Sequence, residues 1–186
     1  EDYQQLTRIV YQEVKRINQT IENFLKFARP GQLELSKIKL SDLIKDLKQE
    51  YDPFLAEKGI LLALNLNWSG EVRWDENKIR QVLGNLIHNA SEAQENGGKI
   101  EIEVNKLEEN ILELKIMDTG PGIPENIQRK IFNLYFTTKS SGTGIGLSIV
   151  QQIVDQHNGV ISFESGPGKG TVFSIWLPVS VDNRSV

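Results

Sequence analysis

Nine of the 15 glycines in this sequence lie between Gly120 and Gly170, where they concentrate in three short segments. Such clustering indicates backbone that adopts unusual dihedral angles or approaches a ligand closely. The segments are 118–123 (DTGPGI), 142–147 (GTGIGL) and 166–171 (GPGKGT). The middle segment leads directly into a predicted helix, so its amide groups and the positive helix end would suit phosphate oxygens. A flexible linker is the alternative interpretation of that segment.

The middle segment does not fit the two common phosphate-binding fingerprints. It has the form Gly-x-Gly-x-Gly after a predicted loop, whereas a Rossmann dinucleotide site has a longer glycine pattern that follows a strand. A P-loop requires Gly-Lys followed by Ser or Thr, which this sequence lacks. Both classes of site are therefore disfavoured.

Asp118 comes directly off an apolar predicted strand into a Gly-Pro-Gly turn. A carboxylate in that place either caps the turn or serves as a fixed acceptor for a ligand amine. The residues around Asp118 leave both interpretations open.

A helix predicted from Asp75 to about Glu95 carries a second set of polar residues. Its apolar residues recur at helical spacing and define a core face: Ile79, Val82, Leu83, Leu86, Ala90 and Ala93. A polar stripe runs along another face: Asn85, His88, Asn89 and Glu92. A solvated face is one interpretation, but such faces usually carry Lys and Glu rather than Asn, a poor helix former. The other is a ligand role, because amide oxygens can complete the shell of a Mg²⁺ ion held mostly by phosphates and water.

Composition and charge exclude several function classes. The length of 186 residues supports one domain plus a short additional segment. The net charge of -4 disfavours a basic nucleic-acid-binding protein. The absence of cysteine excludes disulfides, thiolate metal sites and a cysteine nucleophile. The longest apolar run, 60–64, is far shorter than the roughly 20 residues that span a bilayer. The first residue is Glu1 rather than Met, so we expect a fragment of a longer protein.

Periodicity and turn residues predict an α+β fold, a two-layer sandwich in which helices cover one mixed sheet. The predicted strands are 33–40, 60–66, 99–106, 111–117, 160–165 and 171–177. The predicted helices are 41–58, 75–95 and 144–157, with Ser41 and Asp75 as N-caps and Gly59 ending the first helix. We interpret His157 as a cation at a helix C-terminus.

The first 30 residues predict one long helix. Its apolar residues follow a heptad-like spacing that Pro30-Gly31 ends: Val10, Val14, Ile17, Ile21, Phe24 and Ala28. An amphipathic helix lying on its own domain is one interpretation. A helix that pairs with other helices is favoured, because it leads the chain and is followed by a helix breaker.

These residues together resemble the catalytic, ATP-binding domain of sensor histidine kinases, within the wider group that includes DNA gyrase and MutL. The motifs occur in the family's order. Residues 85–90 (NLIHNA) resemble the N box, 118–122 the first glycine box, 131–139 (IFNLYFTTK) the F box, 142–147 the second glycine box and 168–173 the last glycine-threonine element. Residues 16–30 resemble the second helix of the dimerisation hairpin, in the style of the nitrogen-regulation kinases.

The resemblance implies a Bergerat-type ATP-binding fold preceded by one long N-terminal helix. Residues 1–30 would be part of a dimerisation hairpin, residues 31–180 the catalytic domain and residues 181–186 a tail. Thr137 to Ser148 would form a mobile lid whose glycines let it close over the triphosphate. Phe132 and Phe136 fit a core position and a lid anchor equally.

The resemblance also implies residue roles. Asp118 would accept the adenine amino group, with Gly122 and Thr171 completing that pocket. Asn89 would bind Mg²⁺, and Asn85 and Lys139 would act on the phosphates as the catalytic residues. The full set implied around ATP is Asn85, Asn89, Asp118, Gly120, Gly122, Ile123, Thr138, Lys139, Gly142, Thr143, Gly144, Ile145, Gly146, Leu147 and Thr171.

The function implied by the resemblance is transfer of the γ-phosphoryl of Mg-ATP to a histidine and then to a response-regulator aspartate. The family's acceptor histidine lies on the first dimerisation helix, and no segment of this sequence matches that motif. Neither His88 nor His157 is assigned as the acceptor, so we expect ATP binding without autophosphorylation. The full-length protein is expected to be a homodimer through the N-terminal helix, with this domain in the cytoplasm even where a membrane anchor is present, and no nucleic-acid partner is expected.

Two alternatives remain open. One is an ATPase of the same fold, which Asn85 argues against because ATPase relatives carry a water-activating glutamate there. The other is a nucleotide-sensing scaffold module without transfer activity.

Overall fold

The computed structural model describes residues 31–139 and 142–181, together with Tyr3, Thr7, Arg8, Val10, Tyr11 and Val14. Within 31–181 the strands are β1 (Ser36–Lys39), β2 (Ile60–Leu66), β3 (Glu71–Trp74), β4 (Gly98–Glu108), β5 (Ile111–Asp118), β6 (Val160–Ser165) and β7 (Thr171–Pro178). The helices there are α1 (Leu40–Glu57), α2 (Glu76–Ala93), α3 (Glu125–Gln128) and α4 (Gly146–Gln156).

Five strands form one mixed sheet in the order β2-β4-β5-β7-β6. β2 runs parallel to β4, and the other neighbouring pairs are antiparallel. β1 and β3 form a separate antiparallel pair. The parallel pair is possible because the connection from β2 to β4 is long enough to contain β3 and α2. This arrangement confirms the predicted α+β fold.

The sheet buries one face under the helices. Along β4, β5 and β7 every second residue is apolar and buried, which is the pattern of a sheet covered on one side. These residues are Ile100, Ile102, Val104, Leu112, Leu114, Ile116, Phe173, Ile175 and Leu177. They share one core with the apolar faces of α1, α2 and α4. The domain therefore has two layers, as predicted.

The predicted elements from β2 onward agree with the structure to within two residues at each end, and β2 and β6 agree without difference. Two elements were not predicted, β3 and α3. Each has four residues, which is too short for hydrophobic periodicity to reveal.

The predicted N-cap at Ser41 is wrong. α1 begins at Leu40 directly after β1, and its N-cap Lys39 makes no side-chain capping hydrogen bond. Ser41 is buried in the first turn, where its hydroxyl donates to Asp42 at 3.3 Å. Leu40 is fully buried in the core, so the chain enters the helix before it reaches the serine.

α2 has the predicted N-cap and most of the predicted core face. The Oδ1 atom of Asp75 accepts the backbone N–H of Lys78 at 3.1 Å. Five residues of the predicted face are buried: Ile79, Val82, Leu83, Leu86 and Ala90. Ala93 is half-buried, and Ile87, which the predicted face left out, is buried.

His157 is not the cation that we predicted at the end of α4. The side chain is fully buried, and burial lowers its pKa below the ordinary 6.5 despite its hydrogen bond to Ile153 and the nearby Asp75. Its Nε2 atom accepts the backbone N–H of Asp75 at 3.1 Å, so Nδ1 carries the proton and donates to the Ile153 carbonyl at 2.8 Å. The neutral ring therefore joins the end of α4 to the N-cap of α2.

The predicted N-terminal helix falls mostly outside the described residues. Of its heptad-like positions, Val10 and Val14 are described, and both are helical and exposed. The predicted domain boundary at residue 30 stays a prediction. No helix in the described part of the chain is long and apolar enough to cross a membrane.

The buried His157 predicts a stability that falls in mild acid. Because its pKa is lowered in the folded state, the unfolded chain takes up a proton near pH 6.5 that the folded chain does not. The free energy of unfolding should therefore fall below that pH, by up to about 1.4 kcal/mol per pH unit. Urea titrations at a series of pH values from neutral to mildly acidic measure this slope.

The two histidines supply the control for this measurement. His157→Gln should remove the slope between neutral and mildly acidic pH. His88→Gln replaces an exposed histidine and should retain it. A slope that persists in His157→Gln would assign the effect to other groups.

Candidate functional site

Three neighbouring strands carry a row of polar side chains at one end of the sheet, where β5 and β6 end and β7 begins. The registers of β5, β7 and β6 place Thr171 between Asp118 and Ser165. Side chains alternate along a strand, so all three residues continue the inward-facing side of their strands. Thr171 is buried, and Asp118 and Ser165 are half-buried. We call these three residues the polar row.

Asp118 is oriented as a hydrogen-bond acceptor. The backbone N–H of Gly120 donates to its Oδ1 atom at 2.8 Å. Burial raises the pKa of Asp118, and backbone hydrogen bonds from Gly120 and Thr171 act in the opposite direction. The carboxylate therefore caps its own turn, and the cap fixes the direction in which the remaining acceptor positions face.

The first and last glycine-rich segments pack against each other without room for side chains. Gly170 has φ +72°, and a Cβ there would lie 2.0 Å from the carbonyl oxygen of Asp118. Gly122 has φ +77°, and a Cβ there would lie 2.1 Å from the carbonyl oxygen of Gly166. Both positions require glycine for conformation and for contact. These segments form a packed wall around Asp118.

The middle glycine-rich segment packs against the F-box-like segment and α2. Gly144 has φ +67°, and a Cβ there would lie 2.4 Å from the carbonyl carbon of Tyr135. A Cβ at Gly146 would lie 3.5 Å from Oδ1 of Asn85. α4 begins at Gly146, so the last three residues of the predicted lid belong to a helix. Two lid residues, 140 and 141, lie outside the described residues, and the mobility of the lid stays a prediction.

The N-terminus of α4 is suited to an anion. Its N-cap is Ile145, which provides no side-chain capping hydrogen bond, and no acidic residue lies in the first turn. The first N–H groups of a helix have no partner inside the helix, and the helix dipole adds positive character there. Because Asn85 lies beside this end, the two together fit phosphate oxygens.

The predicted polar stripe of α2 is present, and the structure adds Lys139 to it. The stripe residues Asn85, Asn89 and Glu92 are half-buried. Nζ of Lys139 donates to Oε2 of Glu92, and Nε2 of His88 lies 3.3 Å from Oε1 of the same carboxylate. Burial favours the neutral form of Glu92, yet Lys139, His88 and Lys58 hold its pKa below the ordinary value. Lys139 is thus paired with α2.

A divalent cation would need donors beyond acidic side chains here. The described residues contain no group of three or more His, Asp or Glu placed to hold a metal ion. The amides of Asn85 and Asn89 supply hard oxygen atoms, and a bound ligand's own oxygens would complete the shell.

Phe132 anchors the F-box-like segment to the core. Its ring packs edge-on against Phe163 and Phe173, with centroids 5.9 Å and 6.4 Å away. Phe136 also packs against the core. The core interpretation of these two rings is confirmed, and their part in a lid stays a prediction.

Two polar residues that the sequence analysis did not identify hold the site together. The Ser165 hydroxyl accepts the N–H of Ile123 at 2.8 Å and donates to the Gly170 carbonyl at 2.9 Å. Gln94, buried after α2, accepts from the Thr119 hydroxyl at 2.8 Å. Ser165 ends a predicted strand, and the hairpin around residues 166–170 brings it beside Thr171, but its contact with Ile123, 42 residues away, has no signal in the sequence.

Known proteins identify the family. Residues 74–181 match the profile of the histidine kinase-, DNA gyrase B-, and HSP90-like ATPases. The chain belongs to this family. The catalytic domain of histidine kinase ThkA matches 82% of the chain and all of its own length, with a TM-score of 0.73 and 33% identity. The chain therefore contains a histidine-kinase ATP-binding domain.

Curated relatives are sensor kinases. ZraS of Escherichia coli (strain K12) is 33% identical over 181 residues, which cover 97% of this chain and 39% of ZraS. Sporulation kinase C of Bacillus subtilis (strain 168) is 30% identical over 177 residues, which cover 94% of this chain and 41% of that kinase. The chain thus spans about two fifths of the length of these relatives. ThkA in complex with response regulator protein TrrA matches 95% of this chain and 51% of its own, with a TM-score of 0.78 and 29% identity.

Helix α2 of this histidine-kinase domain connects the two ends of the site. Asn85 lies at Gly146, and the Cβ of Ala93 would lie 3.4 Å from a Cβ at Gly120. The other predicted ligand residues follow the loops on either side. Ile123 donates its N–H to Ser165, Thr138 is exposed, Gly142, Thr143 and Leu147 are half-buried, and Ile145 is buried. The side chain of Ile145 is therefore not available to a nucleotide, although its backbone is.

Gly170 and Gly168 form a matched pair for testing the packing around Asp118. Both have φ +72°, so alanine strains each backbone by about 1–2 kcal/mol. A Cβ at Gly170 would meet the Asp118 carbonyl, whereas a Cβ at Gly168 would have nothing within 4 Å. Gly170→Ala should therefore weaken ATP binding by about tenfold or more in calorimetric titration, and Gly168→Ala by less than about twofold. Equal losses would show that strain alone matters.

Proposed function

We propose that this chain binds Mg-ATP between Asp118 and the N-terminus of α4 and transfers the γ-phosphoryl group to a histidine outside this sequence. The observation that carries the proposal is the arrangement along α2. Asn85 at α4 and Ala93 at the Asp118 turn are separated by about 12 Å of helix. An extended nucleoside triphosphate can bridge such a distance, with its base at Asp118 and its phosphates at Gly146.

The base end of the site fits adenine. The Asp118 carboxylate accepts an N–H of the exocyclic amine, and a hydrogen bond to a charged acceptor contributes about 1.5–3 kcal/mol. A Cβ at Gly120 would lie 2.9 Å from Oδ1 of Asp118, so glycine there leaves the carboxylate accessible to the base. Thr171 lies beside Asp118 in the polar row and completes this end.

The phosphate end combines backbone and side-chain groups. The first amides of α4 and the segment 142–146 face the phosphates, with Thr138 and Thr143 at their edge. Asn89 supplies an amide oxygen for Mg²⁺, which neutralises charge on the phosphates when bound, and Asn85 assists at the phosphates. Lys139 leaves Glu92 and pairs with the phosphoryl oxygens that become most negative during transfer.

Asn85 favours transfer over hydrolysis. An amide cannot take a proton from water, so the site has no general base at that position. A neutral imidazole needs no base to attack phosphorus, and the remaining requirement is positioning and charge neutralisation. The scaffold alternative requires the same ATP site without transfer, and the ATPase alternative requires a base other than Asn85.

The whole protein is proposed to be a two-component sensor kinase. Residues 1–30 form the second dimerisation helix, residues 31–180 the catalytic domain and residues 181–186 a tail. The missing first helix carries the acceptor histidine, and the full-length chain is a homodimer through these helices. The ThkA–TrrA complex supports a response-regulator receiver as the partner that takes the phosphoryl group onto aspartate. Because its substrate is ATP, we place this domain in the cytoplasm.

Supplying the acceptor tests the proposal. The chain, Mg²⁺ and γ-labelled ATP are mixed with a separate dimerisation hairpin that carries the acceptor histidine. The hairpin should gain acid-labile phosphate, and the same hairpin with its histidine replaced by glutamine should gain none. ATP binding without label would support the scaffold alternative, and release of free phosphate alone would support the ATPase alternative.

Two variants of the chain assign the residues, and ATP binding to each is measured with and without Mg²⁺. Asp118→Asn should weaken ATP binding about tenfold to a hundredfold, because the amine loses a charged acceptor. Asn89→Ala should remove the Mg²⁺ dependence of ATP binding without changing the circular dichroism spectrum. Unchanged ATP affinity in Asp118→Asn would refute the adenine assignment.

The Glu92–Lys139 pair predicts a gain of affinity. Glu92→Gln frees Lys139 and removes one negative charge from the phosphate end, so ATP should bind about two- to fivefold more tightly. Glu95→Gln changes the same charge at an exposed residue just after α2 and should have no effect. In a Lys139→Met background the gain should shrink. Calorimetric titration with ATP would contradict the pairing if the two glutamine variants behaved alike.

A further inference from the structure

Ser165 makes three hydrogen bonds that use its entire capacity. Its Oγ atom accepts the backbone N–H of Ile123 at 2.8 Å and donates to the Gly170 carbonyl at 2.9 Å. The third partner is the hydroxyl of Thr171, with the two oxygens 3.0 Å apart. A serine hydroxyl has one proton and two lone pairs, so three partners of this kind exhaust it.

This arrangement decides where the Thr171 proton goes. A carbonyl oxygen can only accept, so the single proton of Ser165 is committed to Gly170. The contact between the two hydroxyls is then a donation from Thr171 to Ser165. Among the described residues no other group bonds to the Thr171 hydroxyl. Its oxygen therefore retains lone pairs and has no proton left for a ligand.

We propose that Ser165 is a specificity-determining positioning residue, which holds the Thr171 hydroxyl as an acceptor so that the base end of the site takes only a donor. This inference rests on the proposed ATP site. Asp118 and Thr171 are neighbours in the polar row, and in the proposed complex both offer only acceptors to the base. An exocyclic amine has two N–H groups and satisfies both. A keto oxygen in the same place meets two acceptors and is rejected.

Inosine triphosphate is the probe, since it carries a keto group where ATP carries the amine. The wild-type chain should bind ATP about a hundredfold or more tightly than inosine triphosphate in calorimetric titration. Ser165→Ala releases the Thr171 proton, which can then donate to the keto oxygen. The ratio of the two affinities should therefore fall by about tenfold or more, with the larger change in inosine triphosphate binding.

A double-mutant cycle separates this role from a purely structural one. Thr171→Val removes the hydroxyl and should lower ATP affinity, and Ser165→Ala should not change the affinity ratio further in that background. Thr171→Ser retains the hydroxyl and should retain the wild-type ratio. If Ser165→Ala fails to fold, Ser165→Cys keeps the volume with a weaker donor and should give an intermediate ratio.

Either of two results would overturn the inference. One is an equal loss of both affinities in Ser165→Ala, which is the signature of a general disturbance of the turn. The other is a ratio that still changes with Ser165→Ala when Thr171 is valine. Failure of the proposed function would give a different result. The wild-type chain would then either not bind ATP or bind it with the same affinity as Asp118→Asn.

Discussion

The burial of α2 against the sheet is the interaction on which the rest of the site depends. Its large aliphatic residues contribute about 1.5–3 kcal/mol each on burial, so together they outweigh the polar contacts on its other face. Gly84 lets α1 approach closely, because a Cβ there would lie 2.7 Å from the Tyr51 hydroxyl. This packing fixes the rotation of α2 about its axis. The direction in which Asn85 and Asn89 point is therefore set by the core and needs no ligand.

Both ends of α2 are also fixed along the helix axis. At the N-terminus, Asp75 caps the helix, receives the N–H of Glu34 at 2.9 Å and donates its own N–H to the neutral His157. At the C-terminus, Gln94 accepts from the Thr119 hydroxyl and the Lys99 N–H. The helix is thus held to α4 at one end and to the Asp118 turn at the other. The rise of the helix from Asn85 to Ala93 sets the separation between the proposed phosphate and base ends.

The sequence predicts what local periodicity determines and fails where the partner is distant along the chain. Apolar segments next to glycine predicted β2 and β6 without difference, and the cap at Asp75 predicted α2 to within two residues. His157 was misjudged because its partner Asp75 lies 82 residues away, and a local pattern cannot distinguish a buried neutral ring from an exposed cation. The Glu92–Lys139 pair spans 47 residues, and the hydrogen bond from Ile123 to Ser165 spans 42. The motifs of the site were recognisable because a backbone that approaches a ligand closely requires glycine, and glycine positions can be read directly from the sequence.

A chain of net charge -4 that binds a triphosphate must attract it locally. The amides of α4 are fixed dipoles that add no net charge, and the charge of Glu92 is offset by its ion pair with Lys139. In the proposed complex, the separation along α2 also limits the cost of using a carboxylate to hold the base. Across about 12 Å of water, two unit charges repel by about 0.3 kcal/mol, and salt screens this further because the Debye length is about 8 Å. The hydrogen bond proposed from the adenine amine would contribute about 1.5–3 kcal/mol, so it would outweigh the repulsion between Asp118 and the phosphates. The same carboxylate placed beside Asn85 would reverse that balance.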